Sequence, residues 1–227
     1  MRRTPLLIAA ALALSGRTLA ADFPNIVQQG FSPDGAYHLL LTSYYQDGSG
    51  FPRAALQITD VRRNVILYRR EQTWRDEAEE EEGSAAALAA LVAQWRSGQA
   101  SVLSRYHLTA PVPGTRLFQL APLTPQSYPA ARASGVATRL GHLTLNSFPL
   151  PSGCTFNDFP TLGFALSLGV RDLQHDRRLP ASRACASGYR LDTGYQYKNS
   201  VAVVLRVYSP GFEGPDAVPL VVTAALK

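Results

Sequence analysis

The sequence predicts an α+β fold, mostly antiparallel β, with an N-terminal three-stranded meander, one covering helix and a C-terminal antiparallel sheet with a long hairpin. Three observations carry that expectation. Residues 37–68 hold three β-prone runs separated by turn clusters. Residues 85–96 carry one apolar stripe at helical spacing. Residues 199–226 hold two valine-rich runs joined by a Gly- and Pro-containing connection.

The meander opens at Phe31-Ser32-Pro33-Asp34-Gly35, a tight-turn signal. Pro presets φ, Gly accepts positive φ, and the Asp side chain can bond nearby backbone. Tyr37–Tyr45 suits a half-buried pleated surface. The Gly-rich cluster Asp47–Pro52 turns the chain, Ala54–Val61 reads as the second strand, Arg63-Asn64 as a turn, and Val65–Tyr68 as the third. This stretch is similar to a single blade of a WD40-like or TolB-like β-propeller. A propeller needs at least four blades, and no second Phe-Ser-Pro-Asp-Gly follows.

The helix has two candidate starts. Thr73 with Asp76 stands in a capping-box relation, and Ser84, after Gly83, offers a fresh start. Acidic residues from Asp76 to Glu82 suit a helix N-terminus. Leu88, Leu91, Val92 and Trp95 form one apolar stripe, and Gly98 is a natural stop. Val102, Leu103, Tyr106 and Leu108 then read as a second short helix or a packed connection.

In the second half, Thr115–Leu120, His142–Phe148 and Leu162–Val170 read as strands. Arg171–Ala181 is polar and is expected to loop, and Tyr189–Leu191 returns to extended chain. Asn199–Tyr208 is the strongest strand signal, with Val218–Leu226 as its antiparallel partner, so that Ser200–Ala225 is expected as the central hairpin of its sheet. The helix stripe needs an apolar partner, so it is expected to cover one face of a sheet.

The first residues form an address. Arg2 and Arg3 precede an apolar run from Leu6 to Leu14, and Thr18-Leu19-Ala20 precedes a cleavage point after Ala20 or Ala21. Residues 1–20 are therefore expected as a signal peptide and residues 21–227 as a single secreted domain. The apolar run is too short to span a bilayer, and no later stretch qualifies, so the protein should not span a membrane once the signal is removed. Whether it stays in the periplasm or leaves the cell is open. Removing Arg2, Arg3 and Arg17 leaves 19 basic against 17 acidic residues, so the charge does not argue for nucleic acid. In an exported chain, Cys154 and Cys185 are expected to form a disulfide. The chain-entropy model assigns about 3.5–4 kcal/mol to closing such a loop.

Four segments, Gly30–Gly35 with Tyr37, Gln46–Pro52, Leu179–Arg183 before Cys185, and Tyr208–Asp216, together make the chain similar to a bacterial family of predicted secreted proteins of unknown function. That resemblance implies export and a single domain. It brings no activity and no catalytic residues.

Chemistry is sparse. Gly-x-Ser-x-Gly, a phosphate loop, a dinucleotide fingerprint and His-Glu-x-x-His are all absent. Asp172, His175 and Asp176 are the nearest approach to a metal cluster. A solvated loop whose aspartates pair with Arg171, Arg177 or Arg178 accounts for them better, so no metal and no cofactor is assigned. Glu79–Glu82 reads as a solvated acidic face rather than a calcium loop, which must turn back on itself. Glu213 and Asp216 are a carboxylate pair beside Tyr208 and Phe212, yet turn chemistry, with Asp216 bonding backbone and Glu213 meeting an Arg, accounts for them better. Asp47, in Asp-Gly, is first a turn residue. Among the tyrosines, Tyr195 and Tyr197, beside Gly194 and Lys198, are the candidate binding residues, because rigid aromatic faces give contact area at low entropic cost. The function expected is a non-catalytic envelope protein that binds or supports a partner: an envelope protein, a glycan or a small ligand. The alternative is an exported hydrolase using Asp172, Asp176, Glu213 or Asp216, with metal assistance as an option.

Overall fold

A computed structural model describes residues 21–75, 84–121, 128–129, 132–156, 160–211 and 214–226. Three four-stranded antiparallel sheets stack face to face, and two helices cover the outer face of the first.

The first sheet runs β1 (Asn25–Phe31), β2 (Tyr37–Tyr45), β3 (Pro52–Asp60) and β4 (Val65–Thr73), in that order. The three expected strands are all present, and β1 is added in front of them. Its Gln and Gly residues hide the alternation that would have announced it. The turn after β1 is built as its residues require. Gly35 N–H donates to Ser32 O (2.8 Å), and Ala36 N–H donates to Asp34 Oδ1 (3.0 Å). Gly30 is demanded by close approach: a Cβ there would lie 2.8 Å from Val112 O, the atom that accepts the Phe31 N–H.

Strand period two explains which residue meets which layer. Leu39 and Leu41 of β2 and Ala54, Leu56 and Ile58 of β3 face the helices, α1 (Ala85–Ser97) and α2 (Ala100–Arg105). There they meet Leu88, Val92, Leu103 and Leu108. Ser84 caps α1, accepting the Ala87 N–H at 3.3 Å, and Gly98 ends it. Thr73 is not a cap: it is the last residue of β4 and pairs with Arg53. Asp76 and the acidic run Glu79–Glu82 lie outside the described residues.

The middle sheet has the order β12 (Pro215–Ala225), β11 (Ser200–Pro210), β10 (Gly188–Tyr197), β5 (Thr115–Gln119). The expected hairpin pairs in register from Ser200↔Ala225 to Pro210↔Pro215. It is not central, however, because β12 is an edge strand. β11 is buried from Ser200 to Tyr208 because both its faces are covered. Ala202 and Val204 pack towards the first sheet; Val201, Val203, Leu205 and Val207 pack towards the third. Continuous burial of this kind is why the strand reads as a near-unbroken apolar run.

The third sheet is β6 (Ala133–Thr138), β7 (Gly141–Pro149), β8 (Leu162–Leu168) and β9 (Arg171–His175). Here the expected loop over Arg171–Ala181 is corrected. Arg171–His175 is an edge strand on β8, and a 3-10 turn follows at Ala181–Arg183. An edge strand exposes one side to water, so its sequence can be as polar as a loop. Asp176 is then buried, and it pairs not with Arg171, Arg177 or Arg178 but with Arg183, through two bonds of 2.7 and 2.9 Å. Cys154 and Cys185 form the expected disulfide beside this turn.

Candidate functional site

The sheets do not overlap completely, and the mismatch makes a groove. Phe31, Leu40 and Val61 pack under Ala202, Val204 and Val221, but β12 is the last strand of the middle sheet and β4 is exposed over most of its length. Between them lie two connected pockets of about 210 and 360 Å³ that share Gln57, Arg69, Val218 and Pro219. The smaller is floored by Thr42 and Tyr44 of β2, Arg53 and Ala55 of β3, and Glu71 of β4. The larger continues round the outer edge of β12 to the 3-10 turn and Cys185, past Ile66, Val207 and Leu220.

Register delivers these side chains. Ala55 pairs with Glu71 and Gln57 with Arg69, which sets all four on the groove side while Leu56 and Ile58 face the helices. The pairing then shifts between Ile58 and Thr59, so Tyr68 stands opposite Ile58 and Ile66 opposite Thr59. Tyr68 turns to the helices and bonds Gln99 Oε1 at 3.0 Å, while Ile66 is left lining the groove. Val65, Ile66 and Leu67 are 43%, 45% and 37% exposed, three consecutive apolar residues on an edge strand, and Val218 opposite is 37% exposed.

The polar chemistry is cationic. Arg69 Nη2 donates to Glu71 Oε1 at 2.6 Å, and Arg53 Nη2 reaches Glu71 Oε2 at 3.4 Å. Two guanidiniums thus share one carboxylate. Arg53 also lies 5.8 Å from the ring centre of Tyr44, whose phenol is pushed up to about 12 by burial and the charge of Asp22.

The outer edge of β12 is blunted at three of its outward positions. Ala217 N–H donates to Asp22 O (2.9 Å) and Thr223 N–H to Asn64 Oδ1 (2.9 Å). Between them Pro219 has no N–H to offer. Edge strands are commonly blunted in this way. Asn64, at φ 51°, ties the three sheets together, because its Nδ2 also donates to Gln174 Oε1 of β9 at 3.0 Å.

The residues singled out from sequence fall elsewhere. Tyr195 and Tyr197 are half-buried on β10 and pack on the core between the first and middle sheets. A bulge sends them there. Leu191 pairs with Leu205 but Thr193 with Val204, leaving Asp192 as the extra residue, so every side chain beyond it changes face. Tyr197 stacks on Phe31 at 6.0 Å and donates to Pro33 O at 3.2 Å; Tyr195 lines a separate hollow with Phe23, Asp192 and Arg206. Asp176 sits among Arg183, Gln174 and the Phe164 N–H. Burial pushes its carboxyl up, but those bonds and the Arg183 charge outweigh burial and hold it below the usual range. Asp172 pairs with Ser167 in the β8–β9 ladder, and His175 lies against Phe148 at 5.4 Å. Asp216 accepts the Asp22 N–H at 2.9 Å, and Glu213 lies outside the described residues. Among the described residues no three His, Cys, Asp or Glu side chains are arranged as a metal centre.

Sequence reasoning missed Arg53, Arg69 and Asn64. Arg69 stands two residues before Glu71 on β4, only the sheet register brings Arg53 of β3 to the same carboxylate, and Asn64 reads in sequence simply as a turn residue.

A family model described as "Predicted secreted protein (DUF2259)" matches residues 40–225. The chain belongs to this family of predicted secreted proteins. Membership agrees with the export expected from the N-terminal leader. No curated protein and no solved structure matches the chain. Among the described residues no helix is long and apolar enough to cross a membrane.

Proposed function

We propose that this exported protein is a non-catalytic binding module whose ligand is an elongated, apolar molecule bearing an anionic group. The observation that carries the reading is the groove: an apolar wall of Ile66, Val218, Pro219 and Leu220 beside two arginines that share one carboxylate. Pocket volumes of this order accommodate small ligands. An anion relieves the local excess of positive charge, and an apolar body covers surface that otherwise faces water. A peptide adding as a strand along the whole edge is disfavoured, since the outward N–H groups at Ala217 and Thr223 are taken and Pro219 has none, which leaves only Val221.

Tyr195 and Tyr197 enter this reading as seam residues rather than ligand contacts, so their substitution leaves binding in the groove unchanged. The probe is 1-anilinonaphthalene-8-sulfonate, an apolar anion, titrated into the processed protein under conditions where it melts cooperatively. Saturable fluorescence enhancement is expected, weakened at least tenfold by Arg69→Glu or Val218→Glu and untouched by Tyr195→Ala. Absence of saturable binding, or equal binding by the groove variants, refutes the assignment.

A further inference from the structure

Three carboxylates from distant parts of the chain gather where the leader joins the fold. Asp216, at the start of β12, accepts the backbone N–H of Asp22 at 2.9 Å through Oδ1. Asp22 in turn accepts the Asp47 N–H through Oδ1 (2.8 Å) and the Tyr44 hydroxyl through Oδ2 (3.2 Å), while its carbonyl accepts the Ala217 N–H (2.9 Å). Two residues on, Arg206 Nη1 donates to Pro24 O at 2.6 Å, and its guanidinium lies 4.7 Å from the Phe23 ring. Gly211 leaves room for Asp216, since a Cβ there would fall 2.6 Å from Oδ1. The segment is therefore held by both backbone and side chains, with the Asp22 nitrogen aimed at a carboxylate.

Charge at this place is unbalanced. Burial pushes the Asp216 carboxyl up; the bond from Asp22 N–H offsets part of that, and the charges of Asp22 and Asp47 push it further. Asp47 Oδ2 is buried with no hydrogen-bond partner. The cations around the site are engaged elsewhere, Arg53 with Glu71 and Arg206 with Asp192. Tyr44 is held neutral, and so is Tyr128, whose phenol is raised by burial and by Asp216. None of the ion pairs among the described residues includes Asp22, Asp47 or Asp216.

We propose that these three aspartates are the receptor for the α-ammonium released when the leader is removed. This rests on the leader reading and is independent of the groove. Hydrolysis of the peptide bond by water leaves a carboxylate on the departing leader and an ammonium on the chain that stays. A cut after Ala21 makes the Asp22 nitrogen itself that ammonium, already 2.9 Å from Asp216. A cut after Ala20 places it one residue upstream, with the Asp22 N–H bond intact. Before the cut the same backbone is neutral. Processing thus supplies the missing positive charge, and the processed chain is the better-folded form.

The sign of the pH dependence follows. An ammonium whose pKa is higher in the folded than in the unfolded chain stabilises fully below the unfolded value of about 8 and loses that contribution as pH rises through the folded value. The chain has only two lysines, Lys198 and Lys227, so ¹³C-dimethylation of the processed protein gives three amine signals at most. Intact mass identifies the first residue; Ala21 or Asp22 is expected, and any other start overturns the proposal. The α-amine should titrate at about 9 or above, against about 7.7–8.0 for an unperturbed group, a preference of at least tenfold for the charged form. In Asp216→Asn it should fall back towards 8, with Asp47→Asn as a second, milder variant should the first fail to fold. An α-amine at its ordinary value in the processed protein, or one unmoved by both variants, overturns it.

Discussion

Acidification from pH 7 to pH 5 should cost this protein about 2 kcal/mol through His38 alone. His38 lies on β2, 1% exposed, between the first and middle sheets, with its ring 4.9 Å from that of Phe31 in an edge arrangement. Neither ring nitrogen has a hydrogen-bond partner. Burial alone pushes the imidazole down to about 3 from an ordinary 6.5. The folded state therefore keeps the ring neutral while the unfolded chain protonates it. The stability tied to the neutral ring is present above pH 6.5 and drains away as pH falls towards 3, at up to about 1.4 kcal/mol per pH unit. The full descent is on the order of 5 kcal/mol, comparable to the net stability of many domains. Urea unfolding of wild type and His38→Leu at pH 7, 6 and 5 measures it. At pH 7 the variant should lie within about 1 kcal/mol of wild type, because it loses packing volume but also two unpaired polar atoms. At pH 5 the gap should have moved by about 2 kcal/mol in favour of the variant. Equal pH slopes for the two proteins, or a His38 resonance titrating near 6.5 in the folded state, would refute the reasoning.

Two further outcomes follow from buried polar groups. Arg183→Ala strands the Asp176 carboxylate among Phe164, Gln174 and Tyr189, so it should cost about 3–5 kcal/mol by urea unfolding, whereas Arg177→Ala at the surface should change stability by less than about 0.5 kcal/mol. Asn64→Gly keeps the left-handed turn but removes the links to Thr223 and Gln174, so it should cost about 1–3 kcal/mol and speed amide exchange at Thr223; an unchanged exchange rate there would remove Asn64 as the tie between sheets.

Where local chemistry is strong, the residues alone set the structure. Phe31–Gly35 makes its turn because the Asp34 side chain accepts the Ala36 amide and the Ser32 hydroxyl, and Ser84 and Gly98 bound a helix whose stripe needs a partner. The valine-rich runs at 200–225 pair as their pattern requires. The cysteines join because two thiols in an exported chain have each other. Strand β9 was illegible because an edge strand may be polar on its open side, and β1 because its alternation is broken by Gln and Gly.

The groove was illegible for a different reason. Arg53, Arg69 and Glu71 are ordinary surface residues in sequence; Arg69 and Glu71 are neighbours on one face of β4, and only pairing across β3 and β4 brings Arg53 to them. Likewise the Asp192 bulge reverses the faces of Tyr195 and Tyr197, and no periodicity read along one strand reveals an extra residue opposite its partner. Sequence by itself therefore carried the expectation of export and determined the strands and helix with strong local signals and the disulfide. Tertiary structure decided how far one sheet overhangs the next and which charges meet there, because register and layer offset are set by contacts between segments far apart in the chain.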